Sequence, residues 1–298
     1  MSQSTTGDRL PPGEWLAPGH RACPGCGGSI AMRLVLKALG PGTIVTSPAY
    51  AWTLLTGPGS RSALRVPHLC VAPGSTAAAA CGVRAALDAQ GDRETTVLAW
   101  AEAGDTASAG LQALSDAAER NEDILYVCHD AGAGMSAGCA CPPAGARVPA
   151  VTDDPTGTPT PRPGKDLIGI LAAHRIPYAA TGTVAHPLDL IEKVLKARAI
   201  RGTKFLHVLA PCPPTWKIAD DETIDLARQA VQTRVFPLVE VERGQRWRFT
   251  ADHPGHPVAP YYRRQGRFAD LTSEQLRSLQ SEVDARWEIL KRRVESGS

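Results

Sequence analysis

The pair Cys23-Pro24-Gly25-Cys26 sets two thiols three residues apart in a glycine-rich stretch, residues 19–28. That spacing lets two thiolates turn toward one metal ion or one iron–sulfur cluster. The glycines let the backbone lie close to whatever is bound. Two thiolates do not complete a site. Cys212, in Ala210-Pro211-Cys212-Pro213-Pro214-Thr215-Trp216, is the best candidate for a third. Cys81 and Cys128 lie in apolar stretches and read as small core hydrophobes. His68, His174, His186 and His207 are isolated and read as structural. A Ser–His–Asp signature and a phosphate-binding P-loop are both absent from the sequence.

These residues need elements to position them. An apolar pattern at helical spacing covers 29–39 and stops at Gly40-Pro41-Gly42. Strands are expected over 43–47, 66–72, 95–101, 123–129, 178–181 and 204–209, with a late strand over 236–242. Helices are expected over 76–89, 108–120, 165–174, 187–199 and 220–232, and a charged amphipathic helix over 273–293. The runs 95–101 and 123–129 are continuously apolar, as in strands buried on both faces. Strands alternating with helices give an α/β fold, a parallel sheet with helices on both faces. Ligands in such folds bind beyond the carboxyl ends of the strands. Three small-residue loops qualify there: 102–109, 130–141 and 210–216. Residues 131–164, rich in Gly, Ala and Pro, read as one long loop, functional or disordered, with 143–164 flexible or lid-like.

The chain has 298 residues, 43% of them hydrophobic, which is enough for one large domain or two small ones. A formal charge of +2 gives no case for nucleic acid or an anionic membrane as partner. No apolar run reaches transmembrane length. The first 18 residues are polar and carry no apolar signal core, so a cytoplasmic protein with reduced thiols is expected.

In this order the elements resemble the β subunit of 2-oxoacid:ferredoxin oxidoreductases, the pyruvate synthase group. Residues 19–27 match the family's G-H-R-A-C-x-G-C-G. Further matches are Gly110-Leu111-Gln112-Ala113-Leu114-Ser115, Asp123-Ile124-Leu125-Tyr126-Val127-Cys128 and Ile176-Pro177-Tyr178-Ala179-Ala180-Thr181. Ala210-Pro211-Cys212-Pro213 and Gln265-Gly266-Arg267-Phe268 match as well. The resemblance implies a thiamine-diphosphate-binding fold over 19–240, after a polar arm over 1–18. A C-terminal extension over 241–298 would end in the charged helix. It also implies Mg2+ with thiamine diphosphate, and a [4Fe-4S] cluster held by Cys23, Cys26 and Cys212 with a fourth ligand. Cys70, Cys139 and Cys141 are the candidates for that ligand; zinc with His20 is the alternative. An α subunit would complete the site, and ferredoxin, coenzyme A and a 2-oxoacid would be the partners.

The chain departs from the family at the chemistry. The diphosphate–metal loop, Gly-Asp-Gly-Gly in the family, is Glu102-Ala103-Gly104-Asp105 here, with Ala103 at the metal-binding aspartate. The next loop reads Asp130-Ala131-Gly132-Ala133-Gly134-Met135-Ser136-Ala137-Gly138, with Ala131 and Ser136 at the two asparagine positions. Tyr50 stands where the family has its third cysteine. By position, Glu102, Gly104, Asp105, Asp130, Ser136 and Gly138 form the cofactor-binding set. Three readings follow: a working oxidoreductase subunit, a non-catalytic relative kept as an assembly, electron-transfer or regulatory partner, or an altered pocket that hosts another ligand and reaction.

Overall fold

The computed structural model describes residues 11–49, 51–57, 62–132 and 165–297. The elements run α1 (Gly27–Leu39), β1 (Thr43–Pro48), α2 (Ala51–Thr56), β2 (His68–Val71), α3 (Thr76–Ala89), β3 (Thr96–Glu102), α4 (Ala103–Ala107), α5 (Leu111–Glu119) and β4 (Leu125–Asp130). The chain continues with α6 (Leu167–Ala173), β5 (Tyr178–Thr183), α7 (Pro187–Ala199), β6 (Lys204–Leu209), α8 (Pro213–Trp216), α9 (Thr223–Gln232), β7 (Val239–Glu242), β8 (Arg246–Phe249), α10 (Val258–Arg263) and α11 (Ser273–Ser296).

The strands form one sheet in the order β2-β1-β3-β4-β6-β5-β7-β8. The first six are parallel, while β7 and β8 close one side antiparallel. Strands β3, β4, β5 and β6 are buried along nearly their whole length, which explains the continuous apolar runs of β3 and β4. One face packs Leu98, Trp100, Val127 and Leu206 against α1 and α7. The other packs Val97, Ala99, Tyr126 and Phe205 against α3, α5 and α6. A third cluster joins the α8–α9 region to α10 and α11 through Trp216, Leu226, Tyr261 and Leu276.

Local chemistry sets the helix ends. Gly40 takes φ of 78° at the end of α1, a conformation that suits glycine. Pro187 opens α7, and a Thr272–Gln275 capping box opens α11. The helix expected over 108–120 is α5, and the stretch expected as a loop over 102–109 holds the short helix α4 instead. The Asp105 carbonyl accepts both the Ser108 and Gly110 N–H groups, and the chain turns there before α5. The sheet continues past residue 240 into β8, so the C-terminal segment shares it. Among the described residues no helix is long and apolar enough to cross a membrane.

The chain adds β2 on one side of β1 and β3 on the other. This places a topological switch point between the carboxyl ends of β1 and β3, where ligands settle in such sheets.

Candidate functional site

The cysteine loop lies across the carboxyl end of the sheet, sewn to the loop after β6. The Gly27 N–H donates to the Pro211 carbonyl at 3.0 Å, and Thr223 Oγ1 donates to the Gly25 carbonyl at 2.6 Å. A Cβ on Gly27 would sit 2.5 Å from the Ala210 carbonyl carbon and the Pro211 oxygen, so only glycine permits this approach. Cys26 and Cys212 are half-buried, while Cys23 is exposed. Burial pushes the Cys26 thiol above its usual range, and the neighbouring Cys212 adds to the shift. Thr215 Oγ1 donates to Cys212 Sγ at 3.3 Å. His20 Nδ1 accepts the Ala22 N–H. Among the described residues no three His, Cys, Asp or Glu side chains are arranged to hold a metal ion. The seam therefore offers an adjoining pair of thiols, short of the four thiolates of a [4Fe-4S] cluster. Tyr50, Cys139 and Cys141 lie outside the described residues.

At the switch point, α4 follows β3 without a loop. Thr106 Oγ1 donates to the Glu102 carbonyl at 2.8 Å, which leaves the Tyr126 hydroxyl to donate to Thr106 Oγ1 at 3.0 Å. This hydroxyl chain pins α4 onto β4. Glu102 is buried, with Oε1 3.8 Å from His129 Nε2. Gly104 lies within α4. Asp105 is 4% exposed. Its Oδ1 accepts the Gly74 N–H at 2.9 Å, holding the lead-in to α3. Its Oδ2 has no hydrogen-bond partner among the described residues, and burial raises the carboxyl above the usual range. Asp130 ends β4, its Oδ1 accepting the Gly132 N–H at 2.9 Å and its Oδ2 the His207 Nε2–H at 3.0 Å. Ser136 and Gly138 lie outside the described residues.

Several residues here were not singled out from sequence. His129 stacks on Trp100 at 5.0 Å and meets Trp52 edge-on at 5.6 Å. Its Nδ1–H donates to the Ala101 carbonyl at 3.0 Å, so Nε2 accepts the Trp52 Nε1–H at 3.4 Å. Burial holds this imidazole neutral down to about 4. Trp216 Nε1 donates to the Ala131 carbonyl at 2.7 Å, and Arg267 Nη1 donates to the Gly132 carbonyl at 2.6 Å. The guanidinium lies 4.1 Å from the Trp216 ring centroid, and burial lowers it to about 10. Gly132 adopts φ of 72°, and a Cβ there would meet the Trp216 ring and Arg267. Arg267 and Trp216 thus clamp the start of the loop after β4. Arg267 stood in a matched motif, but only its long-range partners disclose the clamp.

Does the site suit Mg2+ and a diphosphate? Ala103 and Ala131 carry no ligand atom, both Asp130 oxygens are engaged, and Glu102 is buried beside His129 and not without a partner. One Asp105 oxygen remains. Mg2+ is usually held by one or two carboxylates with phosphates and waters in a near-octahedral shell. Among the described residues the family's metal-ligand positions are empty of oxygen ligands, and one off-position carboxylate oxygen is a poor fit to that shell.

Comparison with known proteins agrees with the architecture. Residues 43–208, more than half of the chain, match the C-terminal TPP-binding domain of thiamine pyrophosphate enzymes. Pyruvate synthase subunit PorB of Methanocaldococcus jannaschii is 38% identical over 293 residues, covering 95% of this chain and 98% of that protein. Ketoisovalerate oxidoreductase subunit VorB of Pyrococcus abyssi is 41% identical over 300 residues, covering 96% and 95%. Among solved structures, the 2-oxoglutarate:ferredoxin oxidoreductase of Magnetococcus marinus shares the fold with a TM-score of 0.54 and 21% identity, covering 70% of this chain and 68% of that one. The carboxyl-end seam, the switch-point loops and this end-to-end similarity lead to one conclusion: the chain belongs to the PorB/VorB family of 2-oxoacid:ferredoxin oxidoreductase subunits.

Proposed function

We propose that this chain is the β-type subunit of a hetero-oligomeric 2-oxoacid:ferredoxin oxidoreductase. The assembly would decarboxylate a 2-oxoacid such as pyruvate, pass electrons to ferredoxin and deliver the acyl group to coenzyme A. The observation that carries this reading is 38–41% identity to PorB and VorB subunits across almost the whole chain. In that reading an α-type chain docks over the carboxyl end of the sheet, where the seam and both loops lie. This chain contributes the Cys23–Cys26–Cys212 seam and the clamped loop after β4.

A second reading is favoured by Ala103 and Ala131: the chain keeps its place in the complex without turning over substrate itself. Co-expression with an α-type chain tests both. A stable complex on size exclusion is expected, and a chain that never associates would sink both readings. Ferredoxin reduction dependent on 2-oxoacid and coenzyme A then selects the catalytic reading, and its absence in an intact complex selects the other.

A further inference from the structure

The segments leaving β3 and β4, α4 on one side and the start of a loop on the other, flank the place where the resemblance puts a metal-bridged diphosphate. Thr106 and Tyr126 pin one, and Trp216 and Arg267 clamp the other. Yet Ala103 and Ala131 present methyl groups at ligand positions. The neighbouring carboxylates have structural partners instead. Asp130 bridges Gly132 and His207, and Asp105 Oδ1 ties the lead-in of α3 to α4. Among the described residues, Asp105 Oδ2 is the one buried carboxylate oxygen with no hydrogen-bond partner. That single oxygen sits off the two ligand positions, so the aspartate and first asparagine oxygens of the family pattern have no counterpart among these residues.

We propose that the diphosphate end of this subunit is metal-free: these loops recruit no Mg2+, and any thiamine diphosphate the subunit takes is held without a protein-bound cation. The proposal rests on the subunit reading only for the place of the loops. Both segments are anchored although the two ligand positions hold alanine, so what is missing is chemistry and not fold. A site that binds through Mg2+ is sensitive to chelators; this one is not.

The test uses the full chain, alone and in its complex. Thiamine diphosphate is titrated in MgCl2 and in EDTA by equilibrium dialysis, with Mn2+ occupancy read by the electron paramagnetic resonance of free Mn2+. The expected result for the wild type is free Mn2+ throughout and dialysis curves within about twofold of one another, or no binding in either buffer. A103D/A131N should gain Mn2+ and tighten at least about tenfold with Mg2+, with A103D alone as the milder variant if the double one melts early. Stoichiometric Mn2+ on the wild type, or tightening of about tenfold by Mg2+, would overturn the proposal. If D105N abolished such tightening, Asp105 Oδ2 would be the displaced ligand. Folded variants that gain no metal would equally overturn the assignment to Ala103 and Ala131. Complex formation is followed separately by size exclusion, so failure of the subunit reading and failure of the metal-free site give different results.

Discussion

The cysteine seam and the switch-point loops lie at the same end of the sheet but have fared differently. In the seam, the geometry is made by backbone: the Gly27 amide on the Pro211 carbonyl, and a glycine where a methyl would collide. Residues 19–27 accordingly keep the family pattern throughout. In the loops, the metal ligands would be side chains projecting from anchored backbone. Replacing them with alanine disturbs no anchor, because Tyr126, Trp216 and Arg267 hold the loops from outside. Positions that carry shape and positions that carry chemistry can therefore diverge independently within one site.

The sharpest way to break this contrast is G27A. Its methyl would meet the backbone of Ala210 and Pro211, so we expect a loss of about 3 kcal/mol or more and a large drop in melting temperature. An unchanged melt would show that the seam is not locked by backbone. Acid should act on the residues between the two regions. The folded state keeps His129 neutral down to about 4, whereas an unfolded histidine protonates near 6.5. The unfolded chain therefore binds more protons in that window, and stability falls as pH drops from about 6.5 to 4, by at most about 3 kcal/mol from this group. Buried His253, also lowered to about 4, acts in the same direction. Urea titrations across that window should show a slope that H129N makes shallower.

On the loop side, W216F removes the hydrogen bond to Ala131 and weakens the stack under Arg267, at a cost of about 1–3 kcal/mol by chemical denaturation. A cost near zero would mean that the clamp does not hold the loop. The smallest effect belongs to E14Q. Glu14 pairs with Arg33 and Lys37 on α1, and those charges hold its carboxyl down to about 2. The pair is largely exposed, so the expected change is under about 1 kcal/mol and fades with salt.

Much of the fold could be read from the sequence for physical reasons. Continuous apolar runs marked β3 and β4, and helical periodicity with clear stops marked α1, α3 and α7. Helices α2, α8 and α10 escaped because four to six residues hold too few turns to show a period. Strand β8 escaped because Arg246-Trp247-Arg248-Phe249 alternates over only four residues. Helix α4 escaped for the same reason as α2, and the turn that separates it from α5 depends on one carbonyl taking two amides, which no periodicity reports. In the site, the family motifs located the loops and the missing ligands. They did not reveal that Trp52, Trp100 and His129, 77 residues apart at the extremes, form one cluster. Nor did they show that Arg267 reaches back to Gly132.

The two rims of the sheet, β2 and β8, are each four residues long, against six or seven for the strands between β1 and β5 in the sheet order. A rim that short has few spare backbone groups to offer another strand. The molecule is therefore poorly suited to growing by edge pairing, the route by which exposed strands seed fibrils. Among the described residues, association then falls to side chains on the faces and loops, where it can be selective.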